Sequence, residues 1–157
     1  MARTVMPTIT AEDRRSLYER DYYTWALKQA RALKEQRAER LDWENLAEEV
    51  EDLAKSERRE LRNRFKVLLV HLLKWQFQPN RRSRSWEATI AVQRVEISQH
   101  LRDNPGLRPS IPVLLADAYE PARIEVASRL PERAPAQPPP SCPWSFAQLM
   151  DDRFRPE

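Results

Sequence analysis

Three side chains with acid–base chemistry recur at intervals of seven residues along the longest predicted helix. They are Glu57, Arg64 and His71, and seven steps of about 100° return each to nearly the same face. Glu60 lies at the edge of that face, one turn before Arg64, where the two can form an ion pair. A carboxylate, a guanidinium and an imidazole on one face suit proton transfer, ligand capture or a structural ion-pair network.

A neighbouring predicted helix adds His100 and Asn104 to this set. If it forms an antiparallel hairpin with the longest helix, equal rise per residue brings His100 level with Leu61 and Asn104 level with Glu57. The same reasoning brings Tyr22, on the first helix, toward the Glu57 region. We therefore predict a single polar layer, formed by Glu57, Glu60, Arg64, His71, His100, Asn104 and Tyr22.

Two interpretations of this polar layer stay open. Buried charges persist only when they are paired and hydrogen-bonded, so a structural network that fixes helix register is the preferred interpretation. The alternative is an enzyme that uses Glu57, Glu60 and His100 as acid–base groups. The pattern assigns no catalytic residue, and it favours a protein that is not an enzyme.

The sequence predicts no metal site and no cofactor. His71 lies on an otherwise apolar turn, and Leu68 occupies the position at which the Glu-x-x-His motif of di-metal bundles requires a glutamate. A single glycine excludes the Gly-rich loops that bind nucleotide phosphates. Cys142 has no neighbouring group in the sequence that would lower its pKa, so we expect it to pack under Trp144.

Three arginines, Arg81, Arg82 and Arg84, cluster at one turn close to Trp86. A nucleic-acid-binding surface needs both cations for the phosphates and a stacking surface for the bases. Since Trp86 lies on the apolar stripe of its helix, we expect it to be buried and unavailable for stacking. The cluster is therefore a possible phosphate or partner contact, and nucleic-acid binding through it is a weakly supported alternative.

The overall composition describes a nearly charge-balanced protein. Its 157 residues carry a net charge of +3, so the pI near 9.2 does not by itself require a nucleic-acid partner. No run of about 18 apolar residues predicts a membrane span, and no leader-like segment is visible. One cysteine cannot form an internal disulfide. We therefore predict a cytoplasmic protein with no membrane partner.

Four helices are expected to position the polar residues. Thr10 begins the first of these helices and Asp42 caps the second. The second has no proline or glycine from its first residue to its last, and its apolar stripe predicts a spine with a buried face along its whole length. Its second half is apolar nearly all round and should be covered on several sides. The four helices span residues 10–37, 43–77, 84–103 and 110–130.

A proline-rich stretch follows the fourth helix, from residue 131 to residue 143. Its composition predicts an extended, polyproline-like strap. Ser145 and Gln148 then form a capping box for a short helix, whose apolar side chains should pack on the helices before it. The predicted fold is an all-α, antiparallel four-helix bundle with one long central helix, a proline-rich strap and a short C-terminal helix. The predicted domains are a helical bundle, 10–130, and the strap with its short helix, 131–157.

The charges of the long helix are segregated along its length. Its first part is acidic, whereas basic residues follow from Lys55 onward. Like charges one turn apart repel each other and favour an opposite partner, although such runs are usually solvated. A head-to-tail or two-fold dimer would bring the acidic and basic parts of two copies together. The acidic residues are Glu44, Glu48, Glu49, Glu51 and Asp52, and the basic ones are Lys55, Arg58, Arg59, Arg62, Arg64 and Lys66.

Several motifs resemble a bacterial family of small all-helical proteins, the twenty-ninth of the numbered domain-of-unknown-function families. The resemblance runs from about residue 17 to the C-terminus. It implies an all-α, soluble, single-domain fold and supplies no catalytic residues. The motifs are Tyr18–Trp25, Glu48–Leu53, Ser56–Arg59, His71–Trp75, Gln78–Pro79, Ser83–Trp86 and Cys142–Trp144.

The function we predict is that of a cytoplasmic helical interaction module, a homo-oligomer or the partner of another protein. A nucleic-acid-associated protein that uses the turn of Arg81 to Arg84 is the first alternative. An enzyme that uses the Glu/His polar layer is the second.

Overall fold

The computed structural model describes residues 17–157, and within this range the chain is all-α and has no strand. The predicted all-α fold class is confirmed. Residues 17–20 are also helical, and the predicted helix start at Thr10 lies outside the described residues. The helices are α1 (Tyr22–Lys34), α2 (Trp43–Phe77), α3 (Arg84–Asp103), α4 (Ile111–Ala127) and α5 (Phe146–Met150).

The chain divides into two compact units after Lys55, inside α2. The first unit contains α1 and the beginning of α2, and the second contains the rest of α2 with α3, α4 and α5. The domains predicted from the sequence, 10–130 and 131–157, stay a prediction.

In the first unit, α1 is bounded by a side-chain cap and by a left-handed turn. The Asp21 carboxylate accepts the backbone N–H of Thr24 at 3.0 Å and caps the helix. At the other end, Gln36 has a φ of 56°, a conformation that favours glycine. The N–H of Arg37 donates to the carbonyl of Ala32 at 2.9 Å, which closes the turn. The helix predicted to reach residue 37 therefore ends three residues earlier.

Asp42 connects the two helices of this unit and is itself buried. Its carboxylate accepts the indole N–H of Trp25 at 3.1 Å and the side-chain amide of Asn45 at 2.8 Å. Its backbone N–H donates to the side-chain oxygen of Gln29 at 2.8 Å. The predicted capping contact, to the backbone N–H of Asn45, is long at 3.5 Å. Asp42 thus orients α1 against the start of α2 as well as capping it.

The apolar stripe in the first half of α2 is not buried as predicted. Trp43 is 62% exposed, Val50 is 59% exposed and Leu53 is 68% exposed. The reason is that α1 contacts a different side of the helix, at Glu49. The prediction of a buried face along the whole of α2 was therefore wrong for its first three turns.

In the second unit, the rest of α2 forms the centre of the core. Leu61, Phe65, Leu68 and Leu72 continue the stripe and are fully buried. Buried side chains also project from its other faces, as the nearly all-apolar sequence predicts. These are Leu69, Val70 and Leu73.

The contacts of α2 define the directions of α3 and α4. Glu57 meets His100 and, further along α2, Arg64 meets Glu96, so α3 runs antiparallel to α2. Arg58 meets Ser110 and Lys66 meets Glu125, so α4 runs in the same direction as α2. Ser110 precedes α4 and is a residue type that commonly caps helices, but its side chain makes no capping bond there. Its hydroxyl instead accepts a hydrogen bond of 3.0 Å from the Arg58 guanidinium.

The strap packs against α4 and leads α5 into the core. Tyr119 donates its hydroxyl hydrogen to the carbonyl of Pro139 at 2.8 Å. The predicted capping box of Ser145 and Gln148 is present at the start of α5. Leu149 is fully buried in the same core as Leu61. The strap and α5 are therefore integral to the second unit.

A buried arginine on α3 holds this C-terminal segment. Arg94 is 2% exposed, and it donates from Nε to the carbonyl of Leu149 at 2.7 Å. Its Nη2 donates to the carbonyl of Phe154 at 3.0 Å, whereas its Nη1 is buried and has no partner. Burial lowers the pKa of this guanidinium. Because two backbone carbonyls depend on one charged side chain, Arg94 should control how firmly residues 149–154 are attached.

We expect Arg94→Met to loosen residues 149–154 selectively. The substitution keeps an unbranched, flexible side chain but removes the donors to both carbonyls, at a cost of about 2 kcal/mol. That corresponds to about a 30-fold larger population of the detached segment, measurable as faster limited proteolysis there. Arg102→Met, on the exposed side of α3, is the matched control and should leave the cleavage rate unchanged. Equal cleavage of the two variants would show that Arg94 does not hold the segment.

Candidate functional site

The structure brings His100 and Glu57 together across the α2–α3 hairpin. The Nε2 atom of His100 lies 2.9 Å from the backbone carbonyl oxygen of Glu57 and 3.5 Å from its carboxylate. The His100 side chain is 11% exposed, whereas that of Glu57 is 50% exposed. The contact therefore lies at the edge of the core.

Asn104 completes this contact from the residue that follows α3. Its side-chain amide donates to the Glu57 carboxylate at 3.3 Å and to the carbonyl of His100 at 3.3 Å. Its backbone N–H also donates to the His100 carbonyl, at 2.9 Å, which closes the last turn of α3. Glu57, His100 and Asn104 form a group that we call the helix clasp.

The hydrogen bonding of the helix clasp favours a structural role over acid–base catalysis. A carbonyl oxygen only accepts, so Nε2 of His100 carries the hydrogen that it donates to the Glu57 carbonyl. That hydrogen is directed at the backbone, and the carboxylate lies beyond good hydrogen-bonding distance from the same nitrogen. The pair is thus not arranged as a carboxylate that accepts a proton from an imidazole.

Glu60 and Arg64 form a second group, further along α2. Arg64 lies 2.8 Å from the Glu60 carboxylate and 3.3 Å from Glu96 on α3. Glu96 is the residue that the sequence analysis missed, although its place one turn before His100 on the same helix could have indicated it. The Nε atom of Arg64 is buried without a partner. This group bridges two helices as an ion-pair network.

His71 stands apart from both groups. Its Nδ1 donates to the carbonyl of Val67, one turn earlier on its own helix, at 2.8 Å. Burial lowers the pKa of its imidazole below the ordinary value of 6.5, and the charge of Lys74 acts in the same direction. The ring is therefore held neutral at neutral pH.

Tyr22 belongs to the first unit, where it contacts a different glutamate. Its hydroxyl donates to Oε2 of Glu49 at 2.7 Å, and that of Tyr18 donates to Oε1 of the same carboxylate at 2.7 Å. The hydrogen bond to Glu49 is the main cause that raises the pKa of Tyr18 to about 12. Both rings also pack against Trp25, at 4.8 and 5.6 Å between centroids. Tyr22 therefore has a partner of its own, eight residues before Glu57 on α2.

The three arginines near the α2–α3 turn are exposed. Arg82 donates from Nε to the carbonyl of Trp75 at 2.9 Å, and its guanidinium lies 5.1 Å from the centre of the Trp75 ring. Trp86 was expected to be buried, but it is only partly so. The ammonium group of Lys74 lies over its ring at 4.2 Å from the centroid. Cations therefore lie against both indoles.

The buried polar residues are not those of the predicted layer. They are Gln29, Asp42, Gln78 and Arg94. Arg94 follows Ile90 by four residues and precedes Ile97 by three, and this spacing alone places it on the buried stripe of α3. The signal was present in the sequence and was overlooked because the residue is charged.

A cleft of about 380 Å³ lies between α4 and the strap, lined by Tyr119, Cys142 and Trp144 among others. Burial raises the pKa of the Cys142 thiol and raises that of Tyr119 to about 12. The Cys142 thiol lies 3.5 Å from the carbonyl of Trp144. Both groups are therefore protonated at neutral pH, which does not suit a nucleophile or a general base.

The described residues contain neither a metal-binding cluster nor a membrane-spanning helix. Across residues 17–157, no cluster of three or more histidine, cysteine, aspartate or glutamate side chains has a geometry that could bind a metal ion. Within the same part of the chain, none of the helices combines the length and the apolar character that crossing a membrane requires.

The chain matches the model of a protein family. The model of a family described as "Domain of unknown function DUF29" matches residues 17–155. No curated protein and no solved structure matches the chain.

We expect His100→Leu to destabilise the protein more than Glu57→Gln does. The first variant removes the hydrogen bond that the largely buried His100 imidazole donates across the hairpin, which costs about 1–2 kcal/mol. The second alters a half-exposed carboxylate whose contacts contribute less than about 1 kcal/mol. Urea unfolding at neutral pH measures both. A gain of stability in either variant would contradict a structural helix clasp, because groups held for a ligand commonly reduce stability.

We also expect His71 to make stability depend on pH below about 6.5. Because the folded pKa of His71 lies below the unfolded value, the unfolded chain binds the proton first as the pH falls. Stability should therefore decrease from about pH 6.5 toward the folded pKa. His71→Gln removes this titration while His100 is retained in both proteins. The difference in unfolding free energy between parent and variant should change between pH 7.5 and 5. A constant difference would show that His71 is not the source of the pH dependence.

Proposed function

This chain belongs to the family described as domain of unknown function DUF29, and because that description names no activity, we propose a function from its surface. The protein is a helical interaction module that self-associates through the first half of α2. The observation that carries this proposal is an apolar stripe that is buried in one half of the helix and exposed in the other.

The exposed part of the stripe has the spacing of a helix–helix contact. Trp43, Ala47, Val50 and Ala54 alternate at intervals of four and three residues, and all are exposed. Intervals of three and four place side chains along one face of a helix, as in paired helices. A contiguous exposed apolar face on a small protein commonly marks a protein–protein contact.

The charges beside this face favour a second copy of the chain as the occupant. At 100° per residue, one flank of the stripe carries Glu44, Glu48 and Glu51, followed by Lys55 and Arg58. In an antiparallel pair related by a two-fold axis, each flank meets the same flank of the partner running the opposite way. The acidic end of one copy then faces the basic end of the other.

The register of such a pair follows from the charges. With the two-fold axis near residues 51 and 52, Glu48 lies level with Lys55 of the second copy, and Glu44 lies close to its Arg58. Lys55 already contacts Asp52 of its own helix at 2.9 Å. That ion pair is exposed, and exposed pairs contribute little, so Lys55 can exchange partners on association.

We expect Val50→Asp to convert the dimer into a monomer. A carboxylate from each copy at the centre of the apolar contact costs about 2–4 kcal/mol, which is about a 30- to 1,000-fold weaker association. Light scattering coupled to sizing chromatography, over a range of protein concentrations, measures the change. Val113→Asp is the matched control, because Val113 is 54% exposed on α4 and should leave the mass unchanged.

A charge exchange tests the antiparallel arrangement in the same measurement. Glu44→Lys with Glu48→Lys should weaken the dimer, and adding Lys55→Glu with Arg58→Glu in the same chain should restore it. A parent protein that stays monomeric at high concentration would refute the proposal. A dimer that resists Val50→Asp and dissociates with Val92→Asp would place the interface on α3 instead.

The enzyme alternative gains no support from the helix clasp, whose imidazole hydrogen is directed at a backbone carbonyl. No second function is proposed for those residues.

A further inference from the structure

Four cations surround the turn between α2 and α3. They are Lys74, Arg81, Arg82 and Arg84, and we call them, with Trp75 and Trp86, the turn patch. The sequence contains no acidic residue between Glu60 and Glu87, so this part of the chain is uniformly basic. Such a concentration of one sign contrasts with the nearly balanced charge of the whole protein.

Within residues 17–157, the cations of the turn patch form no direct ion pair with a carboxylate. None of the ion pairs found in the described part of the chain involves any of the four. Two of the four lie against indole rings instead, Arg82 over Trp75 and Lys74 over Trp86. Burial and the neighbouring charge of Arg129 lower the pKa of Lys74, and the charge of Glu125 acts in the opposite direction.

The stacked arginine gives the turn patch a flat surface as well as a charge. Arg82 is held by a hydrogen bond to the Trp75 carbonyl and by contact with the Trp75 ring, and its side chain remains exposed. A guanidinium plane held in this way can stack on an unpaired base. Arg81 and Arg84, also exposed, are available for phosphates.

We propose that the turn patch binds single-stranded nucleic acid. The phosphates lie against Arg81 and Arg84, one base stacks on the guanidinium of Arg82, and the charges of Arg82 and Lys74 also contribute to neutralising the phosphates. A duplex would present only phosphates to this short turn, because its bases are already stacked. This inference is independent of self-association through the first half of α2.

An anionic membrane is the competing occupant, and the composition of the turn argues against it. Surface-bound proteins insert an apolar face between the lipids. The segment 78–85 contains glutamine, asparagine, serine and arginine, with Pro79 as its one apolar residue. The partly buried tryptophans are covered by cations and do not supply that face.

The test uses the full chain and a labelled oligonucleotide of about 12 thymidines, with fluorescence anisotropy as the measurement. If four cations each neutralise one phosphate, raising the salt from about 50 to about 200 mM should weaken binding about 50-fold. Arg81→Gln with Arg84→Gln leaves two cations, and the same change in salt should then weaken binding only about 7-fold. Binding at low salt should also be weaker in this variant.

The matched control is Arg102→Gln with Arg108→Gln, which removes the same net charge. Arg102 lies at the far end of α3, about 27 Å along the helix from Arg84, and this variant should bind like the parent. If both double variants lost the same affinity for the oligonucleotide, the loss would come from overall charge, and the proposal would be overturned.

Two other probes complete the test. Duplex DNA of the same length should bind more weakly than the single strand, and equal or tighter duplex binding would refute base stacking on Arg82. Vesicles with about one-third anionic lipid should bind weakly or not at all. Binding to the vesicles in place of the oligonucleotide, lost in Arg81→Gln with Arg84→Gln, would assign the turn patch to a membrane surface.

Discussion

The length of α2 is the constraint on which the other features depend. It has 35 residues, whereas α3 has 20 and α4 has 17, which correspond to about 52, 30 and 26 Å. His100 near the end of α3 meets Glu57, and Ser110, just before α4, meets Arg58. The apolar stripe of α2 is exposed from Trp43 to Ala54 and buried from Leu61 onward.

The sequence was informative wherever two regular helices joined by a short turn defined the register. That geometry brought His100 close to Glu57 to within about one helical turn. It did not bring His71 into the same group, because 14 residues of α2 separate His71 from Glu57 by about 21 Å along the helix axis. The same geometry did not bring Tyr22 to Glu57 either. The left-handed residue Gln36 precedes α2, and α1 contacts Glu49 instead. A connection of unusual geometry cannot be extrapolated from equal rise per residue.

Burial of polar groups was harder to predict than helices and caps. The capping box of α5 and the limits of α2 follow from local residue types, and both are present. Arg94 and Asp42 are buried because they satisfy particular partners distant in the sequence, a carbonyl of α5 and the indole of Trp25. Periodicity indicates which face is covered, but it does not indicate which partner covers it. The burial of the first half of the α2 stripe was mispredicted for the same reason. Its residue types resemble those of a core, but they do not indicate whether another element covers them.

The contact between Arg94 and Leu149 joins residues 55 positions apart, and this separation has a consequence for biosynthesis. A ribosome adds about 5–20 residues per second, so about 3–11 s pass between the synthesis of the guanidinium and that of its carbonyl partner. Until that partner is available, the space that Leu149 fills is open and Arg94 has none of its native acceptors. The nascent chain therefore exposes a charged, incomplete core for seconds before the last short helix closes it.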